Sequence, residues 1–274
     1  MIQVTKKKMK EIGDVSFFSV LYFVLADLYH EKSRLTFEEA KLKQPQKKIE
    51  DLDNTASKKA KKLAIESYYR FTENYPKDDR VDKAFYNIAL SYRELGQIED
   101  MVNIYKKITK EFPKSKYWEE SQLRLGDYFF EVKKEYELAI EIYQKILDRE
   151  TNEYMALAQY KMGWCYINLN KFPEALQAFE SLLVIDKSRS VASVSVAANP
   201  DIDIRRDALL SMIWPYSEIE KLPADKQNAT QFFEKQSHDK VTLIQVLNRL
   251  GQRLTLKNKP EQAGQITQVY ARLI

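Results

Sequence analysis

Residues 158–183 read AQYKMGWCYINLNKFPEALQAFESLL, and this stretch decides the fold. In its first half, Met162 and Gly163 are followed by a tyrosine three residues later. In its second half, Ala175 and Phe179 are four residues apart. Apolar residues that recur at spacings of three and four are typical of an amphipathic helix. The stretch therefore predicts two helices joined by a short turn.

The same two-part pattern returns along the chain, with 36 to 38 residues between equivalent positions of the regular part. The first half of the pattern occurs at Phe85–Tyr92, Gln122–Phe129, Gln159–Tyr166 and Leu247–Leu254. The second half begins at Ala64, Met101, Ala139, Ala175 and Ala263. Self-similarity at a fixed period in this range indicates an array of structural repeats.

The pattern resembles the tetratricopeptide repeat, whose signature is W-x2-L-G-x2-Y followed by A-x3-F and a proline. The resemblance implies an all-α fold, a right-handed superhelical solenoid of antiparallel helix pairs with about five to six repeats. Such arrays present extended surfaces to other proteins. We therefore expect a protein that binds other proteins and is not an enzyme.

Departures from the pattern divide the chain into four parts. Residues 1–76 are predicted to hold an N-terminal helix and a lysine-rich insertion that complete a split first repeat, in which the insertion either extends the helix or forms a loop. Residues 77–187 are predicted to form three regular repeats. Residues 188–204 are predicted to be a loop, since they are small, polar and β-branched. Residues 205–274 are predicted to contain a degenerate repeat and a final repeat-like hairpin.

The composition argues against several classes of function. Forty-four basic and 40 acidic residues give a net charge of only +4, which is typical of a solvated surface. The lysines of residues 41–62 have no aromatic residues between them, so we expect no nucleic-acid partner. Cys165 is the only cysteine, which excludes an intrachain disulfide. No phosphate-binding loop or Ser/His/Asp arrangement occurs, so we expect no catalytic residue, cofactor or metal.

The N-terminal region has a superficial likeness to a secretory signal. Lysines near the start precede the apolar run Phe17–Ala26. Residues 25–29 fit a repeat helix better, and the run is shorter than the roughly 20 residues that a transmembrane helix needs. We expect no transmembrane segment and only an indirect association with membranes.

Three phrases resemble a narrower group within the tetratricopeptide-repeat family. Residues 23–34, 64–71 and 158–169 are similar to the envelope-associated members of gliding and predatory proteobacteria, and to the lipoproteins of outer-membrane assembly. This resemblance implies a scaffold in an envelope or motility complex, often periplasmic. The sequence has no obvious signal peptide and no lipobox cysteine near its start, so a cytoplasmic location stays open.

A binding surface is predicted on the first helices of the repeats, which line the concave groove of such a stack. Arginine and lysine there would make charge-assisted hydrogen bonds to a peptide, and an aromatic side chain would anchor an apolar one. The predicted contact residues are Lys83, Tyr86, Asn87, Arg124, Asp127, Tyr160, Lys161, Trp164 and Arg249. The alternative is that Glu120 pairs with Arg124 within one helix and that Trp164 belongs to the core.

Three functions follow from this prediction. The first is a scaffold that holds a partner protein or peptide in the groove. The second is a structural subunit that forms homo-oligomers through its C-terminal repeat, residues 240–274, which lack a polar capping helix. The third is an adaptor that localises a small GTPase or another regulatory protein.

Overall fold

The computed structural model describes residues 1–11, 15–48, 52, 54–149, 153–185, 204–237 and 239–274, and the regular secondary structure of these residues is helical. The helices are α1 Ile2–Glu11, α2 Val15–Lys43, α3 Thr55–Asn74, α4 Val81–Glu94, α5 Ile98–Glu111, α6 Trp118–Tyr128, α7 Tyr136–Leu147, α8 Met155–Asn168, α9 Phe172–Val184, α10 Ile204–Glu218, α11 Ala229–Gln236, α12 Lys240–Leu256 and α13 Pro260–Leu273. A π-helical turn, Phe129–Lys133, extends α6, and a 3-10 turn, Ala224–Lys226, precedes α11. The predicted all-α fold is confirmed.

The chain forms two compact units, Met1–Leu125 and Gly126–Ile274. In unit 1, α2 packs against α3 and α4 packs against α5. In unit 2, α8 packs against α9 and α12 packs against α13, while α10 contacts α8, α9 and α12. In each of these four pairs, the two helices follow each other in the chain, as the repeated pattern predicts.

The core of each unit is built around an aromatic residue of the second helix of a pair. Tyr68 and Tyr105 in unit 1, and Tyr143 and Phe179 in unit 2, are 0% exposed. All four side chains are therefore core residues. In the final pair the equivalent position is Thr267, which is exposed.

The small residues of the first helices let the paired helices approach closely at two positions. A Cβ added to Gly163 would lie 2.5 Å from Cε1 of Phe179, and one added to Gly126 would overlap the ring of Tyr143. The paired helices therefore cross closely at these two positions. The approach is looser at Gly251, because the side-chain atoms nearest to an added Cβ would lie 3.6 Å away, an ordinary van der Waals contact.

A left-handed residue joins the two helices of four pairs. It is Gly96, Lys134, Asn170 or Asn258, with φ between 54° and 74°. In three of these turns, the next residue donates its N–H to the carbonyl five positions earlier: Gln97 to Tyr92, Lys171 to Tyr166 and Lys259 to Leu254. This is the hydrogen bond of the Schellman motif, which ends the first helix and satisfies its free carbonyls.

The turn after α6 contains one extra residue. Glu135 donates its N–H to Phe129, six positions earlier, and the additional residue lies in the π-helical turn. A π turn accommodates one inserted residue without breaking the helix. This accounts for the spacing of 38 residues between Met101 and Ala139, the longest in the regular part of the chain.

The structure describes part of one irregular segment of the sequence and almost none of the other. The first part of the lysine-rich insertion extends the first helix, because α2 continues to Lys43, whereas residues 44–48 are not helical. The predicted loop 188–204 lies outside the described residues, apart from Ile204 at the start of α10. Pro215 lies inside α10, which continues to Glu218.

Candidate functional site

Two buried tyrosines hold aspartates of the first helices. In unit 1, the hydroxyl of Tyr68 on α3 donates to Asp27 on α2. In unit 2, the hydroxyl of Tyr143 on α7 donates to Asp127 at 2.9 Å. Burial, reinforced by the aspartate, raises the pKa of both tyrosines far above the usual value. Both hydroxyls therefore stay protonated and act as hydrogen-bond donors.

Tyr105, the equivalent tyrosine of the intervening α4–α5 pair, does not form this hydrogen bond to an aspartate. The Tyr105 hydroxyl is buried and has no hydrogen-bond partner among the described residues. Burial raises the pKa of Tyr105 to about 12. The first helix of its pair has Leu90 where the other two have an aspartate, since Asp27, Leu90 and Asp127 each directly follow the small residue of the repeat.

The predicted contact residues of α4 are engaged within unit 1. The Asn87 amide donates to the Tyr68 hydroxyl at 2.8 Å. The ring of Tyr86 stacks on that of Tyr117, with centroids 4.4 Å apart, and its hydroxyl donates to Glu120 at 2.5 Å. Asn87 and Tyr86 therefore tie neighbouring helices together.

The two other predicted side chains of unit 1 also have intramolecular partners. The Lys83 ammonium lies 5.1 Å from the ring centroid of Phe23. The Arg124 guanidinium lies 3.2 Å from the Glu120 carboxylate, and its side chain is 15% exposed. The pairing of Arg124 with Glu120, expected as the alternative from the sequence, is confirmed.

Lys161 is neutralised in unit 2. Its ammonium lies 3.0 Å from Asp127 and 3.2 Å from Glu131, and its side chain is 21% exposed. Burial disfavours the charged amine, but the two carboxylates outweigh burial and raise the pKa of Lys161 above its usual value. The side chain therefore stays charged and links α8 to α6 and to the π-helical turn after it.

The aromatic residues of α8 lie at the margin of the core. Tyr160 and Trp164 are half-buried and meet edge to face, with ring centroids 6.4 Å apart. Both also contact the Phe179 ring, at 5.7 and 6.4 Å. Each of the two rings therefore packs against the core and is also partly accessible to solvent.

An exposed tryptophan on α10 was missed by the sequence prediction. Trp214 is 45% exposed, and the Arg253 guanidinium lies 4.3 Å from its ring centroid. The signal was present in the sequence, because Ala208, Met212, Trp214 and Tyr216 repeat the spacing of Ala158, Met162, Trp164 and Tyr166. This match was not recognised because Pro215 and the degenerate pattern of this repeat differ from the regular repeats.

Side chains link the first helices of unit 2 into a continuous surface. Tyr160 on α8 contacts Ser211 on α10 at 3.3 Å. Arg206 on α10 donates to Gln245 on α12 at 2.8 Å, and Arg253 covers Trp214. Arg249 lies one turn from both Gln245 and Arg253 and is exposed. We call this surface, formed by Tyr160, Trp164, Ser211, Trp214 and Arg249, the α8–α10–α12 face.

Unit 2 also contains an open cleft of about 890 Å³ beside α11 and α13. Its apolar lining includes Ile219, Leu222, Ile266 and Val269, and amide side chains such as that of Gln262 contribute polar groups.

Two further features concern the described part of the chain only. Within it, no three His, Cys, Asp or Glu side chains are grouped so that they could hold a metal ion. Among its helices, none combines the length and the apolar character that crossing a bilayer requires.

Burial raises the pKa of the Cys165 thiol to about 12, so this buried cysteine is not a reactive thiolate.

A sequence profile of the tetratricopeptide repeat family matches residues 83–115, 120–152 and 157–184. These segments cover the pairs α4–α5, α6–α7 and α8–α9 apart from the first two residues of each pair. The match is to the repeat in general, so the narrower resemblance to envelope-associated proteins of gliding proteobacteria stays a prediction.

One curated relative is the transcription factor tau subunit sfc4 of Schizosaccharomyces pombe (strain 972 / ATCC 24843). It is 31% identical over 77 residues, which are 28% of this chain and 8% of sfc4. The chain thus spans less than a tenth of that protein's length.

Solved structures of tetratricopeptide repeat and other proteins match this chain at low sequence identity and with TM-scores below 0.5. MamA 41-end from Desulfovibrio magneticus RS-1 is 13% identical with a TM-score of 0.42, and the match covers 90% of this chain and 94% of MamA. The C-terminal part of a TPR repeat-containing protein from Cytophaga hutchinsonii is 14% identical with a TM-score of 0.46, over 97% and 92%. The apo form of the quorum sensor NprR from B. thuringiensis is 16% identical with a TM-score of 0.44, over 99% and 70%.

Proposed function

We propose that this chain is a non-catalytic scaffold that binds a partner protein or peptide, because it contains three tetratricopeptide repeats. The proposed setting is a bacterial envelope or motility complex. That setting is supported by the resemblance of residues 23–34, 64–71 and 158–169, and cell fractionation of the source organism tests it.

The observation that carries the proposal is the α8–α10–α12 face. Exposed aromatic and arginine side chains are the residue types that contribute most to the affinity of protein interfaces. Trp214 and Arg249 offer both on adjacent helices, and Tyr160 and Trp164 continue the aromatic character onto α8. The face therefore suits a peptide or helix with an apolar side chain and a carboxylate.

The predicted contact residues divide into two groups in this proposal. Tyr160, Trp164 and Arg249 are proposed to contact the partner. Lys161 and Arg124 are largely buried against carboxylates, so their proposed role is to hold the first helices in register. A charge reversal at either position would break a partly buried ion pair and disturb the fold, which makes it a poor test of binding.

The proposal is tested with the double variant Trp214→Ala and Arg249→Glu, which changes exposed side chains of the face. The tagged wild type and the variant are used to retain proteins from lysate of the source organism. We expect a specific partner to be retained by the wild type and to bind the variant more than about tenfold more weakly, since a hot-spot loss exceeds about 1.4 kcal/mol.

The matched control is Arg272→Glu, an equal charge change at an exposed position of α13 in the same unit. It is expected to retain the partner, and circular dichroism should show the same helix content in all three proteins. A partner bound equally by the face variant would move the site to another surface. No specific partner for the wild type would contradict the scaffold function.

Two alternative functions are proposed at lower rank. The open cleft beside α13 favours self-association through the C-terminal repeat, for which light scattering would show a mass that rises with concentration. The adaptor for a small GTPase or other regulatory protein differs from the scaffold only in its partner, whose identity the same retention experiment gives.

A further inference from the structure

The last turns of α2 project beyond its partner helix in unit 1. The hydroxyls of Ser33 on α2 and Ser57 on α3 lie 3.0 Å apart, so these residues mark the same level of the pair. From there α2 continues to Lys43, whereas α3 begins at Thr55, just before Ser57. The end of α2 therefore has no α3 beside it, and Leu42 is 80% exposed.

Basic side chains concentrate along this projecting end and the first turns of α3. Residues 41–62 contain eight lysines, no arginine and three acidic residues. The acidic residues Glu50, Asp51 and Asp53 lie outside the described residues. The segment thus carries an excess of five positive charges, more than the whole chain's net charge of +4.

Most of these lysines are not neutralised by the described structure. Lys61 is buried and pairs with Glu94, and Lys43 pairs with Glu39 at 2.6 Å. The exposed lysines that form no ion pair with a described residue are Lys41, Lys47, Lys58, Lys59 and Lys62. We call these five, together with Leu42, the lysine surface.

The placement of these charges opposes the local stability of α3. Lys58 and Lys62 are one helical turn apart and repel each other, and no acidic residue lies in the first turn of the helix. Cations near a helix N-terminus also interact unfavourably with the helix dipole. Folded proteins keep such locally unfavourable choices mainly at functional sites. An anionic partner would remove both penalties.

We propose that the lysine surface binds an acidic segment of a partner protein, with Leu42 contacting an apolar side chain of that segment. The five lysines provide complementary charge, which speeds association and selects acidic partners. Leu42, between Lys41 and Lys43, provides the apolar contact at the α2 side of the surface. This surface lies entirely in unit 1 and shares no residue with the α8–α10–α12 face.

The composition of the surface favours protein over other anions. Nucleic-acid surfaces use arginine and aromatic side chains for base contacts and stacking, and residues 41–62 contain neither. Helices that bind lipid surfaces insert a broad apolar face, whereas here a single leucine is exposed among the lysines.

The test measures binding of a fluorescein-labelled peptide of repeating Glu-Glu-Leu to the full chain by fluorescence anisotropy. A peptide of about 15 residues has an extended length of roughly 50 Å. We expect binding that weakens steeply as salt is raised, since exposed charges are screened. The triple variant Lys58→Glu, Lys59→Glu and Lys62→Glu should weaken it more than about tenfold.

The matched control is Lys106→Glu, Lys110→Glu and Lys114→Glu, the same charge change at other exposed positions of unit 1. It should leave most of the affinity intact. Leu42→Gln should weaken binding without changing its salt dependence. The variant Trp214→Ala with Arg249→Glu should bind the peptide like the wild type, which separates this proposal from the scaffold face.

Three results would overturn the proposal. Absence of binding to the peptide would reject the surface. Equal weakening by both lysine triples would show attraction to net charge alone. Tighter binding to phosphatidylserine vesicles or to duplex DNA than to the peptide would assign the surface to lipid or to nucleic acid instead.

Discussion

At the scale of single residues, the hydroxyl of the second-helix tyrosine distinguishes otherwise equivalent repeats. Tyr68 and Tyr143 donate to aspartates, whereas the Tyr105 hydroxyl is buried without a partner among the described residues. The sequence predicts burial of these rings from their spacing. The spacing alone does not predict the hydrogen bond from the tyrosine hydroxyl, because the aspartate that accepts it lies on another helix.

This difference predicts opposite effects of the same substitution. Tyr143→Phe removes a buried hydrogen bond to a carboxylate and should lower the free energy of unfolding by about 2 kcal/mol. Tyr105→Phe removes a hydroxyl without a partner and should be neutral or stabilising. Urea unfolding followed by circular dichroism measures both. Equal losses in the two variants would contradict the assignment.

A second prediction concerns the close helix crossing at Gly163. Gly163→Ala forces the Phe179 ring to move, which should cost about 1–3 kcal/mol. Gly264→Ala on α13 is the control, because an added Cβ meets nothing within 4 Å and alanine is favoured in a helix by about 0.5–1 kcal/mol. Thermal unfolding should therefore shift down for the first variant and up for the second. A stabilising effect at Gly163 would show that the crossing is loose.

At the scale of elements, the repeat pattern predicts the helices but not the structure of the turns between them. The pattern predicts which residues form helices, and the helix pairs confirm it. It does not predict the π-helical turn after α6, because one extra residue fits either inside a helix or in a loop. Likewise, the continuation of α2 to Lys43 was one of two open alternatives, since lysine-rich sequence is compatible with both.

The turn between α3 and α4 predicts a dependence on pH. The Asp78 carboxylate accepts hydrogen bonds from Arg80, from the backbone N–H at 3.0 Å and from Nε and Nη2 at 2.8 and 2.7 Å. The side-chain hydrogen bonds from Arg80 lower the pKa of Asp78 from 3.8 to about 2. A lowered pKa in the folded state means that the contribution to stability is complete above pH 3.8 and is lost as pH falls through about 2.

The measurement compares melting temperatures of the wild type and Asp78→Asn across this range. We expect the wild type to be the more stable above the ordinary pKa of aspartate and the difference to disappear near pH ~2. The effect should be small, because this pair lies near the surface. A difference that stays constant as pH falls would show that the carboxylate charge is not involved.

At the scale of the whole molecule, the two units present different surfaces. Unit 1 carries the lysine surface at the end of α2 and the start of α3, and unit 2 carries the α8–α10–α12 face. The sequence predicted the row of polar residues on the first helices and gave the Glu120–Arg124 pair, within one helix, as an alternative. It did not predict the ion pair of Lys161, because the Asp127 carboxylate lies on another helix. Trp214 was missed because its repeat departs from the regular pattern.

The measurement that most directly tests the central claim is hydrogen exchange of the chain alone and with its retained partner. If the α8–α10–α12 face binds the partner, exchange should slow in α8, α10 and α12 and change little in their paired second helices α9 and α13. Protection confined to α9 and α13, or found only outside unit 2, would contradict the claim that this face is the binding surface.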